Sequence, residues 1–324
     1  MSVPAIPEAQ FIHLFQNLGA AALSRQIGVT ERKIHSRRRS IEKRLGIQLD
    51  SPQMPVEQWS VLVRKHRARI DVTMTDGVVI VFSDPHYWPG VKTTAHRAVL
   101  KFCQDLKPKI VVCNGDAFDG SRVSRHPKIG FLESNPTVLD EIHAVQERLQ
   151  EVEKAAPKAT LVWPLGNHDL RFEAKLAASA PEYEGVHGMH LKDHFSDRWQ
   201  PCWGLHINPG THSYTVVKHR WHNGIHAVWN NTLKSGCSMV TGHLHSLKTL
   251  PYSDYGPYPR FGVDAGTVAE PYDAQFTAYT EDNPVNWRSG FAVLTFHKGR
   301  LMWPELVHKW DEDHVEFRGS LIKV

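Results

Sequence analysis

Short apolar runs that alternate with helical stretches constrain the fold of this 324-residue chain more than any other feature. Each run has the length and the apolar content of a buried strand. The runs are VVIVFS, KIVVCN, TLVWPL, SYTVVK and CSMVT. Helical stretches near residues 94–106 and 137–156 precede the second and the third run. Alternation of this kind predicts an α/β layered core.

Polar residues of one chemical kind follow every one of these runs. Because the carboxyl ends of strands in an α/β sheet lie along one edge, we expect these side chains to converge there. Carboxylate, amide and imidazole groups suit Mn, Fe, Zn or Ni better than Ca or Mg. Seven ligands are too many for one closed four-coordinate site and suit two ions with open positions for water and substrate. The expected ligands are Asp84, His86, Asp116, Asn167, His219, His243 and His245.

The strand-end motifs, taken in order, resemble those of the calcineurin-like metallophosphoesterase superfamily. The motifs are D-x-H, G-D-x-x-D, G-N-H-D, a single histidine and G-H-x-H, and they extend over roughly residues 78–300. The resemblance implies an α/β fold with four layers, α/β/β/α. It also implies hydrolysis of phosphate esters by a hydroxide that bridges two divalent transition metal ions. Manganese is the first expectation for these ions, and iron, zinc or nickel are the alternatives.

The resemblance also implies a role for each residue. Two groups of three ligands and one bridging carboxylate follow from it: Asp84, His86 and His245; Asn167, His219 and His243; and Asp116 as the bridge. His168 would stabilise developing charge or protonate the leaving oxygen, and Asp169 would position its imidazole. The chain departs from the family where Arg220 follows the single histidine, since glycine is usual there. We favour His219 as the ligand because it ends an apolar strand, and His222 is the alternative.

Basic residues after the second and third strand ends are candidates for binding a substrate phosphate. They are Arg122, Arg125, His126 and Arg171. Guanidinium groups bind phosphate oxygens in pairs, although the same residues can equally be solvated loop residues. Asp119, in the same loop, is expected to support Asp116 rather than to bind a metal.

The basic character of the chain is concentrated in its first quarter. Residues 1–75 contain 12 Lys+Arg and 6 Asp+Glu, whereas the whole chain has a net charge of +4. A short helix, a turn at Gly28 and a basic helix over residues 31–45 together resemble a helix-turn-helix. Arg37, Arg38 and Arg39 are its candidate DNA contacts. A protein-docking or purely structural bundle is the alternative.

Two domains are predicted from these features. Residues 1–55 would form the helix-turn-helix-like basic domain with its linker, and residues 56–324 the metallophosphoesterase domain. Prolines without periodicity mark the linker, and a short helix is expected near residues 56–67. The dipeptide Asp76-Gly77 between two apolar runs predicts a β-hairpin.

The sequence also limits where the protein works. No basic segment followed by an apolar run opens the chain, and no apolar stretch reaches the length of a membrane span. The four cysteines form no C-x-x-C pair, which fits a reducing cytosol. We therefore expect a cytoplasmic location and no membrane partner. Because a helix-turn-helix before a compact phosphoesterase is similar to small bacteriophage metallophosphoesterases, that cytoplasm would be the host's if a phage encodes the protein.

Three functions compete. The first is a metal-dependent phosphoesterase that acts on nucleic acid, as a nuclease or an end phosphatase, with DNA bound by the N-terminal domain. The second is a phosphomonoesterase for proteins or small molecules, in which the N-terminal domain only targets the enzyme. The third is a DNA-binding regulator with an inactive phosphoesterase scaffold, which the complete ligand set disfavours. The sequence makes no prediction about oligomeric state.

Overall fold

The structure is a computed structural model that describes residues 6–50, 67–125, 135–273, 275–276, 280 and 283–324. Contacts divide the chain into two compact units, residues 1–64 and 65–324, and each is described by itself. The predicted boundary at residue 55 and most of the helix expected at residues 56–67 lie outside the described residues. Both therefore stay predictions.

The first unit contains the helices expected from the sequence. They are α1 (Glu8–Ile27) and α2 (Glu31–Leu45). Gly19 has φ 74 and interrupts α1, so α1 consists of two helical segments. Gly28 ends α1 in the left-handed conformation, which glycine adopts without steric cost, and the chain then turns into α2. The unit has its own apolar core, formed by Phe11, Phe15, Leu23, Ile34, Ile41 and Leu49.

The second unit alternates helices and strands. Its described helices are α3 (Thr94–Leu106), α4 (Val138–Ala155), α5 (Asp169–Ser179) and α6 (Ala227–Ser235). Its described strands are β1 (Ile70–Val72), β2 (Gly77–Phe82), β3 (Ile110–Cys113), β4 (Thr160–Pro164), β5 (Trp199–Cys202), β6 (Leu205–Ile207), β7 (Thr215–Val217), β8 (Ser238–Thr241), β9 (Lys248–Tyr252), β10 (Arg260–Asp264), β11 (Gly290–His297), β12 (Arg300–Leu301), β13 (Glu305–Lys309), β14 (His314–Phe317) and β15 (Ser320–Lys323).

Within the described residues these strands form two sheets. The nine-stranded sheet has the order β15-β14-β13-β11-β2-β3-β4-β5, with β12 paired to β11. The six-stranded sheet has the order β1-β6-β7-β8-β10-β9. Strands β2 to β5 run parallel, and Ile80 lies opposite Val111 in their register. The carboxyl ends of these four strands therefore share one edge.

The two sheets face each other across an apolar core, and helices cover their outer faces. Val81 and Val112 of the larger sheet share one buried cluster with Ile207 and Val240 of the smaller sheet. Helices α3 and α4 pack on the other face of the larger sheet, and α6 packs on β8, β9 and β10. Inner strands such as β3 and β8 are buried along their whole length because both faces of their sheets are covered. The expected α/β/β/α layers are confirmed.

The predicted hairpin at Asp76-Gly77 is wrong. Strand β1 pairs with β6 in the smaller sheet, whereas β2 lies between β3 and β11 in the larger one. The chain therefore crosses from one sheet to the other where the hairpin was expected. The physical reason is that β2, being apolar on both faces, occupies the interior of a sheet and takes β3 and β11 as its neighbours.

Candidate active site

All of the expected ligands follow strand ends at one edge of the sandwich. Asp84 and His86 follow β2, Asp116 follows β3, and Asn167 follows β4, all in the larger sheet. The remaining three follow strands of the smaller sheet: His219 follows β7, and His243 and His245 follow β8. Both sheets therefore contribute to one site.

Three groups of side chains have ligand atoms that lie within 4.8 Å of one another, in the part of the chain that the structure describes. The groups are Asp84, His86 and His245; Asp116, His219 and His243; and His86, Asp116 and His168. The first is one of the two ligand groups that the resemblance implies, and the second contains His219 and His243 of the other group together with Asp116, the expected bridge. His219 belongs to one of them, whereas His222 belongs to none among the described residues.

Buried polar atoms without a hydrogen-bond partner show that this site fits metal ions. Such atoms include Nε2 of His86 and His219, Nδ1 of His245 and Oδ1 of Asn167. An unpaired buried polar atom costs on the order of 1–3 kcal/mol, so several at one place call for a missing partner. Because these potential ligand atoms are imidazole nitrogens and an amide oxygen, a divalent transition metal is a suitable partner.

The opposite nitrogen of two of these rings is held by a hydrogen bond. Nδ1 of His86 lies 2.9 Å from Oδ1 of Asp119, and Nδ1 of His219 lies 2.8 Å from the carbonyl oxygen of Asn114. Both partners accept hydrogen bonds, so in the neutral form of each ring Nδ1 carries the proton and Nε2 has the lone pair that a metal would bind. Metal-binding histidines are oriented in this way.

The backbone at these ligands is strained. Of the eleven non-glycine residues with positive φ among the described residues, five are expected ligands: Asp84, His86, Asp116, His243 and His245. L-residues rarely adopt this conformation, and it is concentrated at functional sites. The neighbouring glycines leave no space for a side chain, since a Cβ at Gly115 would overlap the His219 ring and one at Gly242 would overlap Asp84.

The site is electrostatically suited to cations. Burial disfavours ionisation of Asp84, but His245 and His219 outweigh it and lower the pKa of this carboxyl to about 2. The pKa of Asp116 is likewise lowered, because His219 and His168 outweigh its burial. Burial and the neighbouring His219 lower the pKa of His243 to about 4. At neutral pH the carboxylates are therefore ionised and His243 is neutral. Burial lowers the pKa of His219, but Asp116 and Asp84 outweigh it and raise that pKa to about 10, so His219 must release a proton to bind a metal.

The structure corrects the role expected of Asp169. In the described structure its carboxylate accepts hydrogen bonds from the backbone N–H of Asp116, Phe118 and Gly166 and from Nε1 of Trp163, and none from the His168 ring. Asp169 therefore holds the turns after β3 and β4. The imidazole of His168 is held instead by Asp119, whose Oδ1 lies 3.0 Å from Nδ1. Sequence reasoning missed this because it assigned the support of His168 to the adjacent residue.

The basic candidates for phosphate binding have different environments. Arg171 donates to the carbonyl oxygen of Asp119 at 2.8 Å, and its other terminal nitrogen lies 3.0 Å from Nε2 of His168. Arg122 donates to the carbonyl oxygens of residues 135 and 136, so its guanidinium holds its own loop. Arg125 is exposed, and His126 lies outside the described residues. The structure thus brings Arg171 to the site, whereas Arg122 has a structural role.

The N-terminal arginines do not form one surface. The guanidinium of Arg37 lies over the ring of Phe11 at 4.7 Å, and that of Arg38 lies over Phe15 at 5.7 Å. Both are half-buried, and Arg39 is exposed. Exposed residues at helical spacing form a different set, which we term the α2 stripe: Arg32, Ser36, Arg39 and Lys43. Sequence reasoning missed this stripe because the spacing alone does not identify the face of α2 that packs on α1.

Two adjoining groups of buried carboxylates and imidazoles, at the strand ends of an α/β/β/α sandwich, define a class of protein: the metal-dependent hydrolases of phosphate esters. The chain belongs to the calcineurin-like phosphoesterase family, whose model matches residues 77–264, more than half of its length. Among the described residues, none of the helices is both long and apolar enough to cross a membrane.

The chain is similar to several known proteins. It is 26% identical over 241 residues to the Gene 54 protein of Mycobacterium phage L5, covering 71% of this chain and 92% of that protein. It is 14% identical to Vacuolar Protein Sorting 29 from Cryptosporidium parvum, with a TM-score of 0.41, covering 78% of this chain and 100% of that one. It is also 14% identical to Yfce, a phosphoesterase from E. coli, with a TM-score of 0.35, covering 76% of this chain and 96% of that one.

Proposed function

We propose that this protein is a dinuclear metal-dependent phosphoesterase that acts on nucleic acid, as a nuclease or an end phosphatase. The observation that carries the dinuclear part is the set of buried ligand atoms without partners, distributed over two groups of side chains. The basic α2 stripe supports the choice of nucleic acid as substrate.

Seven residues would hold the two ions. Asp84, His86 and His245 would hold one, Asn167, His219 and His243 the other, and Asp116 would bind both. Manganese is the first choice, with iron, zinc or nickel as alternatives. When bound, the two ions supply neutralisation of the phosphoryl oxygens and a lowered pKa of water.

His168 and Arg171 would act on the substrate directly. Burial opposes protonation of His168, but the carboxylates of Asp116 and Asp119 outweigh it and raise the pKa of the ring. In the described state Nε2 of His168 accepts a hydrogen bond from Arg171. Proton transfer from Nε2 to the leaving oxygen therefore requires Arg171 to move, and a phosphoryl oxygen is a suitable new partner for its guanidinium.

The α2 stripe would bind the phosphates of duplex DNA. Its members recur at helical spacing along one exposed face, which is long enough to meet several successive phosphates. Arg37 and Arg38 would contribute little to this contact, because both pack on aromatic rings of α1. The phage relative supports a further proposal, that the protein works in the cytoplasm of a bacterial host.

The test uses the full-length protein with Mn²⁺ and four substrates: a bis-aryl phosphate diester, an aryl monoester, single-stranded DNA and double-stranded DNA. We expect a product from at least one form of DNA, together with hydrolysis of the aryl diester for a nuclease or of the aryl monoester for an end phosphatase, and loss of all activity with excess chelator. Hydrolysis of the aryl monoester alone, with no product from either DNA, would favour the phosphomonoesterase instead. Full activity in excess chelator would contradict the metal-dependent mechanism.

A further inference from the structure

The segment between β10 and β11 brings two aromatic rings against the site. The ring of Phe276 lies 5.4 Å from that of His86, and the ring of Trp287 lies 4.2 Å from that of His245. The two aromatic rings lie 5.3 Å from each other, at 90°. We call Phe276 and Trp287 the aromatic wall. Both follow residue 264, where the match to the family model ends, so the family motifs do not account for them.

Hydrogen bonds to the backbone carbonyl groups of two expected ligands hold the segment that carries the wall. The N–H of Arg288 donates to the carbonyl oxygen of His245 at 2.7 Å, and Nε2 of Gln275 donates to the carbonyl oxygen of His86 at 3.3 Å. Residues adjacent to Phe276 and to Trp287 are thus bonded to the backbone of the ligands that the two rings touch. The position of the wall is therefore coupled to that of the site.

The two rings differ in exposure. Phe276 is 7% exposed and packs as a core residue, whereas Trp287, whose ring lies beside that of His245, is half-buried. A tryptophan that only fills the core is more deeply buried, as Trp199 is at 2%. The indole of tryptophan has a flat π face, on which any nucleobase can stack. The neighbouring Arg288 is exposed and adds a positive charge for a phosphate.

We propose that Trp287 stacks on a nucleobase next to the phosphate that is cleaved, and that Phe276 supports it from behind. With the aromatic wall, the site would then prefer phosphate esters of nucleosides to esters of the same sugar without a base. This inference rests on the proposed function, because it names the group that the site recognises beside the phosphate.

The test measures discrimination between two substrates by the full-length protein with Mn²⁺: a dinucleoside phosphate diester and the same diester without its bases. The kcat/KM ratio of the first to the second should fall on the order of tenfold in Trp287→Leu, mainly through KM, the size expected for one lost stacking contact. Trp287→Phe, which keeps a smaller ring, should give an intermediate ratio. Trp310→Leu, at an exposed tryptophan in the turn between β13 and β14, should leave the ratio unchanged.

The possible failures are distinguishable. An equal loss on both substrates in Trp287→Leu and Trp287→Phe, with the ratio unchanged, would mean that the indole only packs on His245 and would overturn this inference alone. An unchanged kcat/KM for both substrates in both variants would overturn it as well. If the wild-type protein hydrolysed neither diester, the nuclease form of the proposed function would fail, and the inference with it.

Discussion

Oδ1 of Asp119 lies 2.9 Å from Nδ1 of His86. The same oxygen lies 3.0 Å from Nδ1 of His168, so one carboxylate orients an expected metal ligand and the expected proton donor together. Each ring thereby presents Nε2 toward the site. Asp119 was expected to support Asp116, but its contacts connect an expected metal ligand, His86, to the proposed acid–base residue, His168.

Asp119→Asn should therefore impair metal binding and turnover together. An amide oxygen accepts hydrogen bonds more weakly than a carboxylate, and its –NH₂ would repel a ring N–H. We expect a loss of about 10–100-fold in Mn²⁺ affinity or in activity, measured by calorimetry and by steady-state kinetics. Asp105→Asn, at an exposed aspartate paired with Lys101, is the matched control. Wild-type affinity and activity in Asp119→Asn would contradict the linking role.

Asp116→Ala should be the most damaging single change at the site. Its carboxylate is the proposed bridge, its Oδ2 lies 3.2 Å from Nε2 of His219, and its Oδ1 accepts the backbone N–H of His168 at 2.7 Å. Removing it should lower the metal content from two ions to one or none, as measured by elemental analysis of the purified protein. A variant with two bound ions and near-normal rates would exclude the bridging role.

His168→Ala should separate rate from metal binding. If the ring acts only as proton donor, both metals remain and the rate falls by on the order of 10²–10⁴-fold. The side chain also belongs to a third group of possible ligands, with His86 and Asp116. Loss of a metal ion from His168→Ala would therefore show that His168 is a ligand, and the assignment would have to change.

The site can be located from the sequence because its expected ligands follow apolar strands. Strand ends meet at one edge of a sheet, so this inference needs no information about side-chain contacts. That argument places Asp84, Asp116 and His243 at one edge. It does not extend to the partner of each side chain. Asp119 rather than Asp169 holds His168. The sequence could not show this, because it does not reveal how the turn after β3 folds over the turn after β4.

The same distinction applies to the fold. The layers follow from alternating strands and helices, but the local pattern does not show which sheet a strand joins. The hairpin prediction therefore paired β1 with β2, whereas β1 pairs with β6. The aromatic wall had no signal in the sequence at all, since Phe276 and Trp287 stand alone in a stretch without periodicity.

Glu141 should make stability depend on pH. Burial and the nearby Asp119 raise the pKa of this carboxyl to about 7, although the backbone N–H groups of Gly120 and Ser121 donate to it. Its folded pKa exceeds the usual glutamate value of 4.5, so its contribution to stability is fully present below pH 4.5 and is lost as pH rises through 7. The loss amounts to about 3 kcal/mol at most.

The measurement compares Glu141→Gln with the wild type by urea unfolding at pH 5 and pH 8. The glutamine side chain cannot ionise, so the variant should not lose this contribution. The free energy of unfolding of the variant minus that of the wild type should therefore increase from pH 5 to pH 8. Glu147→Gln, at an exposed position of the same helix, should show no such change. An equal difference at both pH values would mean that Glu141 does not titrate in this range.

The N-terminal arginines should divide into two functional sets. Arg37 and Arg38 each lie over an aromatic ring of α1, a contact that contributes about 0.5–2 kcal/mol. Replacing both with glutamine should increase hydrogen exchange in α1 of the full-length protein and alter DNA binding only through this loss of stability. Replacing the charged members of the α2 stripe with glutamine should leave exchange in α1 unchanged. Those residues are Arg32, Arg39 and Lys43.

DNA affinity provides the second readout for these two sets. Each phosphate contact that is lost should reduce the slope of log affinity against log salt concentration by about 0.9, so loss of all three stripe contacts should reduce it by roughly 2.7. The slope of the Arg37 and Arg38 variant should stay close to that of the wild type, because those side chains face α1. If the stripe variant kept both the affinity and the slope of the wild type, α2 would not be the DNA-binding surface. The N-terminal unit would then be better explained as a protein-docking bundle, since its exposed charges would have no role in nucleic-acid binding.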